Sequence, residues 1–173
     1  MIAKKKAPYA DTKIPVEQSR AEIDRLLRAY GVQDFQWTEL WSRGLVRLEF
    51  ALEKDKGKFI RIRVTPPPFT ARRRTWDEKR GYVAVEAPNW PQSMRCLLHW
   101  LKAKLEAVAF GLKSIEDEFL SDMVVRTPDG QEKTVAELVR PALASGVLDV
   151  PALTGERPKA ERQTSDAEFR EVP

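Results

Sequence analysis

Apolar residues recur along this chain with two different periods. From Met94 to Leu112 the steps alternate between four and three: Met94, Leu98, Leu101, Leu105, Val108 and Leu112. That spacing lines one stripe of an α-helix. Arg95, His99, Lys102, Glu106 and Lys113 fall on the opposite stripe, and Gly111 ends the helix because glycine takes the left-handed conformation without strain. An earlier helix starts at Pro15. There Ser19 and Glu22 have the spacing of a capping box, Ile23, Leu26, Leu27 and Tyr30 line one face, and Gly31 is the stop.

Between these helices the period falls to two. Phe35, Trp37, Glu39 and Trp41 alternate with Gln36, Thr38 and Leu40, and Ser42-Arg43-Gly44 makes a turn. Val46, Leu48, Phe50 and Leu52 then alternate with Leu45, Arg47, Glu49 and Ala51. After the polar turn 53–57, Ile60, Ile62 and Val64 oppose Phe59, Arg61 and Arg63. Three strands joined by short polar turns predict an antiparallel meander. Pro66, Pro67 and Pro68 end it, since proline cannot donate to a ladder.

Residues 66–93 read as a long connection with five prolines, Arg72-Arg73-Arg74, aromatics at Phe69, Trp76, Tyr82 and Trp90, and a short strand at Tyr82 to Val85. A connection of this length is usually functional or disordered. Beyond the long helix, Ser114 and Asp117 cap a shorter one through Phe119 and Leu120. Val124 and Val125, the turn Thr127-Pro128-Asp129-Gly130, and Glu132 to Thr134 predict a small hairpin. Thr134 and Glu137 form a further capping box, opening a helix that buries Val135, Leu138, Val139 and Leu143 before Gly146 closes it.

The expected fold is α+β: a three-stranded antiparallel meander packed by an N-terminal helix and a long central helix, with a small C-terminal hairpin and helix. At 173 residues the chain has the size of one domain, expected over 14–150, with a mobile basic N-terminus over 1–13 and a disordered charged tail over 151–173. No apolar run is long enough to cross a bilayer, and Lys4, Lys5 and Lys6 are not followed by the apolar region of a signal peptide. The expected location is the cytoplasm, with no membrane partner. A single cysteine, Cys96, excludes an intrachain disulfide and a cysteine-rich metal site.

Charge changes the picture more than composition does. Residues 1–95 hold 20 Lys and Arg against 12 Asp and Glu, whereas residues 96–173 hold 10 against 14. Such polarity fits a basic face for a polyanion; it fits equally two halves that attract each other, or an acidic surface for a basic partner.

Catalytic motifs are scarce. Cys96 and His99 lie three apart on the long helix, too few for a metal site, and read as a buried thiol and a surface imidazole. No glycine-rich phosphate loop is present, and no cofactor is implied. Glu118 and Asp122, within the acidic cluster that includes Glu116 and Asp117, would share a helix face and could hold Mg²⁺ for phosphodiester cleavage; capping and the helix dipole account for them as well.

Binding residues are easier to place. Opposite the apolar face, the meander carries Arg47, Phe59, Arg61 and Arg63, cations and an aromatic of the kind single-strand binders present on open sheets. Any half-buried sheet also shows water a polar face, here with Arg47 or Arg61 able to pair with Glu49 or Glu39. The connection adds Arg72, Arg73, Arg74, Trp76, Lys79 and Arg80, an arm whose mutual repulsion favours a counter-charge.

Three blocks, Lys13 to Val32, Leu98 to Leu120 and Thr127 to Leu138, together resemble an uncharacterised family of small proteins of bacteriophages, prophages and other mobile elements. The resemblance implies a mobile-element origin and carries over no catalytic role; the Arg-rich connection departs from the family pattern. The leading expectation is a non-enzymatic protein that contacts single-stranded or duplex nucleic acid through the sheet face and arm. The alternatives are a protein-directed inhibitor or accessory factor acting on a host enzyme and, third, a Mg²⁺-dependent nuclease.

Overall fold

The computed structural model describes residues 7–148. The charged tail expected over 151–173 and the first six residues of the basic N-terminus lie outside the described residues. Helix α1 spans Val16–Ala29 and is followed by strands β1 (Phe35–Leu40), β2 (Leu45–Asp55) and β3 (Lys58–Val64). The strands form one antiparallel sheet in the order β1-β2-β3, with Trp37 opposite Leu48 and Phe50 opposite Ile62. The meander expected from the period-two pattern is therefore present.

Val46, Leu48, Phe50, Leu52, Ile62 and Val64 bury the sheet's inner face against the long helix α2, Trp90–Ala109. Met94, Leu97, Leu98, Leu101 and Leu105 of α2 are buried there together with Ile23 and Leu27 of α1. The α2 stripe follows its sequence period with one exception. Leu112 is 75 % exposed, because the helix stops at Ala109 and Gly111, at φ +70°, turns the chain away.

The α1 cap differs from the expectation. The helix begins at Val16 after Pro15, whose missing N–H costs nothing in a first turn. Ser19 is consequently inside the helix, fully buried with its hydroxyl unpartnered, and Glu22 accepts from Arg95 of α2 at 2.5 Å. Two further ties hold α1 to β1: Trp37 Nε1 donates to Asp24 at 2.9 Å, and Arg20 pairs with Glu39 at 2.8 Å. Glu39 thus serves the helix and not the sheet's outer arginines.

The connection over 66–93 requires the largest correction. It contains two strands, β4 (Thr70–Asp77) and β5 (Gly81–Pro88), paired antiparallel with each other and, among the described residues, with no other strand; the short strand expected at Tyr82 to Val85 lies within β5. Asp77 Oδ1 accepts from the backbone N–H groups of Lys79 and Arg80, both at 2.9 Å, and Gly81 at φ +69° completes the tight turn. At the base, Asn89 N–H donates to the Phe69 carbonyl at 2.8 Å. The period-two signal is missing from β4 because neither face is sealed in the core, so charged residues occupy both sides.

After α2, helix α3 (Ile115–Phe119) starts at Ser114, whose hydroxyl accepts from Asp117 N–H at 3.0 Å. Phe119 is fully buried edge-on to Phe50, with ring centroids 6.0 Å apart. A 3₁₀ turn at Leu120–Asp122 leads to the expected hairpin, β6 (Val124–Arg126) and β7 (Glu132–Thr134), which touches the β3 edge through an Ile62–Met123 bridge. Helix α4 (Val135–Ala144) opens on the capping box of Thr134 and Glu137. Its apolar face is buried only in part: Val135 and Val139 are half-buried, whereas Leu138 is 40 % and Leu143 44 % exposed. The inner face of the sheet is already covered by α1, α2 and Phe119, and α4 packs mainly on β7 and the 3₁₀ turn at Leu120–Asp122.

Residues 7–13 lie beside α2. Gln92 Nε2 donates to the Pro8 carbonyl at 2.7 Å, and the Tyr9 ring stacks on His99 at 4.8 Å. No helix among the described residues is long and apolar enough to cross a membrane.

Because Leu101 is fully enclosed where α2 meets the sheet, Leu101→Ala is expected to cost about 2–5 kcal/mol, through lost transfer energy and an unfilled cavity. Urea unfolding monitored by circular dichroism measures it; a cost below about 1 kcal/mol would remove α2 from the centre of the core.

Candidate nucleic-acid interface

The basic residues singled out in the sequence fall into two groups on separate sheets. The first occupies the outer face of the meander. Side chains alternate along β2 and β3, so Arg47, Glu49, Phe59, Arg61 and Arg63 all point away from the core. Glu49 is the hub: Arg63 Nε donates to it at 3.0 Å, Arg47 Nε lies 3.1 Å away, and Arg61 Nε 3.5 Å. Glu132 of β7 is the second anion. It accepts a hydrogen bond from Arg61 and lies 3.5 Å from Arg126, while its carbonyl accepts from Arg63 at 3.3 Å.

The hydrogen bond from Arg61, with Arg126 adding to it, holds the Glu132 carboxyl below the usual glutamate range and raises the Arg61 guanidinium in turn. Arg63 keeps only 12 % of its side chain exposed and Glu49 19 %, so this pair is more than a solvent-screened surface contact. Four guanidiniums nevertheless share two carboxylates, and the face retains positive charge. Phe59 is 64 % exposed at the end of the same row, opposite Glu53.

The second group sits on the β4–β5 ribbon. Strand alternation divides it between two faces. Arg72, Arg74 and Trp76 share one face with their cross-strand partners Glu86, Ala84 and Tyr82, and all six are exposed. Arg73 lies on the other face with Thr75, Val83 and Val85, while Lys79 and Arg80 form the turn. Among the described residues, no ion pair involves the side chain of Arg72, Arg73, Arg74, Lys79 or Arg80. Near the tip, Trp76 and Tyr82 pack edge to face, with centroids 5.1 Å apart and planes at 77°. Tyr82 and Glu86 complete this face, and their share in it was hidden in the sequence because it depends on the β4–β5 register.

The acidic cluster has other duties. Glu118 is paired with Lys104 at 2.9 Å and Glu116 with Lys54. The helix face expected to join Glu118 and Asp122 does not form, since α3 ends at Phe119 and a tighter 3₁₀ turn carries Asp122. Among the described residues no group of three or more His, Cys, Asp and Glu is placed to hold a metal ion. Burial pushes the Cys96 thiol up, and His99 is lowered, chiefly by desolvation with Arg95 adding to it. A thiol shifted in that direction is a poor nucleophile at neutral pH.

Comparison of the chain with protein-family models, curated proteins and solved structures gives no match.

Glu49→Gln removes the carboxylate on which three arginines converge. The expected loss is about 1.5–3 kcal/mol, the range for hydrogen bonds to charged groups, read from urea midpoints; an unchanged midpoint would show that the outer-face network contributes nothing to stability. Asp122 gives a pH-dependent counterpart. Burial, its largest influence, raises the carboxyl above the usual aspartate range. The stability linked to such an acid is present below its unfolded pKa and lost as pH rises through the folded value. Asp122→Asn, neutral throughout, should therefore raise the melting temperature at pH 7 and leave it unchanged near pH 3; the reverse pattern in thermal melts would contradict the assignment.

Proposed function

We propose that this chain is a non-enzymatic nucleic-acid-binding protein of a mobile element, acting in the cytoplasm. The β4–β5 ribbon is its principal contact and the outer face of the meander a supporting cationic surface. One observation carries the reading: five ribbon cations stand without an ion pair among the described residues, on strands bound only to each other. Unneutralised arginines held close together on a projecting element gain most from a ligand with regularly spaced negative charge, and a phosphate backbone is such a ligand. The surplus charge on the meander adds to the same attraction at longer range.

Val83 and Val85, on the ribbon's other face, favour a second reading. There the ribbon is the arm of a protein-directed factor, its apolar side seated on a host enzyme and its arginines on an acidic surface.

Fluorescence polarisation with labelled oligonucleotides at about 50 mM and about 200 mM salt tests the first reading. Binding should be measurable at the lower concentration and weaken steeply at the higher. Replacing Arg72, Arg73 and Arg74 together by alanine should weaken binding by at least about 10-fold and reduce its salt dependence. The same variant should change stability by less than about 1 kcal/mol, since exposed charges contribute little to it. Absence of binding at low salt would dismiss the proposal.

A further inference from the structure

We propose that the ribbon reads double-stranded B-form DNA from the major groove, with Arg72 and Arg74 as the base-reading pair. This rests on the nucleic-acid reading above and specifies its ligand. The dimensions agree. Two strands of eight residues make a ribbon roughly 26 Å long, and the major groove, about 12 Å wide, admits a two-stranded ribbon edge to edge. Arg72 and Arg74, two residues apart on one face, are separated by about 6.8 Å. That distance equals about two base-pair steps of 3.4 Å, so both guanidiniums can meet base edges without the strand bending.

The residues around the pair suit the same ligand. Ala84, opposite Arg74, is small enough to let bases come close. Glu86, opposite Arg72, supplies an acceptor of the kind that takes the cytosine amino group, while each arginine can bind guanine O6 and N7 in bidentate fashion. Lys79 and Arg80 at the turn are placed for phosphates. Arg73 projects from the opposite face and is assigned a phosphate contact only, which makes it an internal control.

Two other nucleic acids fit less well. Single strands are held mainly by stacking on open aromatic faces. On this face the aromatics are Trp76 and Tyr82, each engaged with the other edge to face, so the ribbon offers no row of platforms. Duplex RNA presents a major groove too deep and narrow for a ribbon to enter.

The test uses the full chain with three labelled probes of one mixed sequence: duplex DNA, the corresponding single strand, and duplex RNA. Duplex DNA should bind at least about 10-fold tighter than either of the others. Guanine N7 methylation of the duplex should interfere with binding, because that atom lies in the major groove. Selection from a randomised duplex library should enrich guanines two steps apart; Arg72→Ala and Arg74→Ala should each abolish enrichment at one position, while Arg73→Ala lowers affinity uniformly. Preference for the single strand or for duplex RNA, equal binding to all three, indifference to N7 methylation, or no enrichment would overturn the major-groove inference and leave nucleic-acid binding standing. Failure to bind any of the three at low salt would remove both.

Discussion

Burial of one face of the meander beneath α2 is the constraint on which the rest of the structure depends. Leu48 and Ile62 from the sheet, Met94 and Leu101 from the helix, and Ile23 and Leu27 from α1 are all fully enclosed. Phe119 fills the remaining space beside Phe50. Once that layer is closed, no inner surface is left for the remaining elements. The ribbon and α4 are therefore peripheral for a common reason, and each is held by what it brings itself.

For the ribbon this means a ladder of its own. A two-stranded hairpin on its own is marginal in water, so its turn and cross-strand pairs matter. Here Asp77 anchors the turn through two backbone N–H groups, Gly81 takes the left-handed conformation, and Trp76 with Tyr82 closes the tip. The core fixes only its base, where β3 ends and α2 begins. Such an element can be rich in arginine without weakening the fold, since its charges are solvated and none replaces a packed side chain.

The two arginine groups differ in what surrounds them. On the meander, Glu49 and Glu132 draw Arg47, Arg61 and Arg63 into a shared network that ties the C-terminal hairpin to the sheet. Those charges act first inside the molecule and only their surplus acts outside it. On the ribbon, cations outnumber the acids of the same segment, and Asp77 is already committed to the turn. The balance between structural and binding roles is thus set by the presence of a neighbouring carboxylate, not by the arginine itself.

Periodicity in the sequence determined the meander, the two principal helices, the caps at Ser114 and Thr134 and the C-terminal hairpin, because each of these elements either buries one face or satisfies its own backbone locally. Of the ribbon, the piece from Tyr82 to Val85 was legible and lies within β5, whereas β4 escaped detection since a strand exposed on both sides carries no alternation of apolar and polar residues. The cap at Ser19 misled because its spacing was right but the helix had already begun at Val16. The stripe on α4 was legible, yet only packing decided that Leu138 and Leu143 would stay partly exposed. Likewise the arginines themselves were evident from the sequence. Which of them meet Glu49 and Glu132, and which stand free on β4, follows from strand register and from the arrival of β7 beside β3, long-range placements that no local pattern encodes.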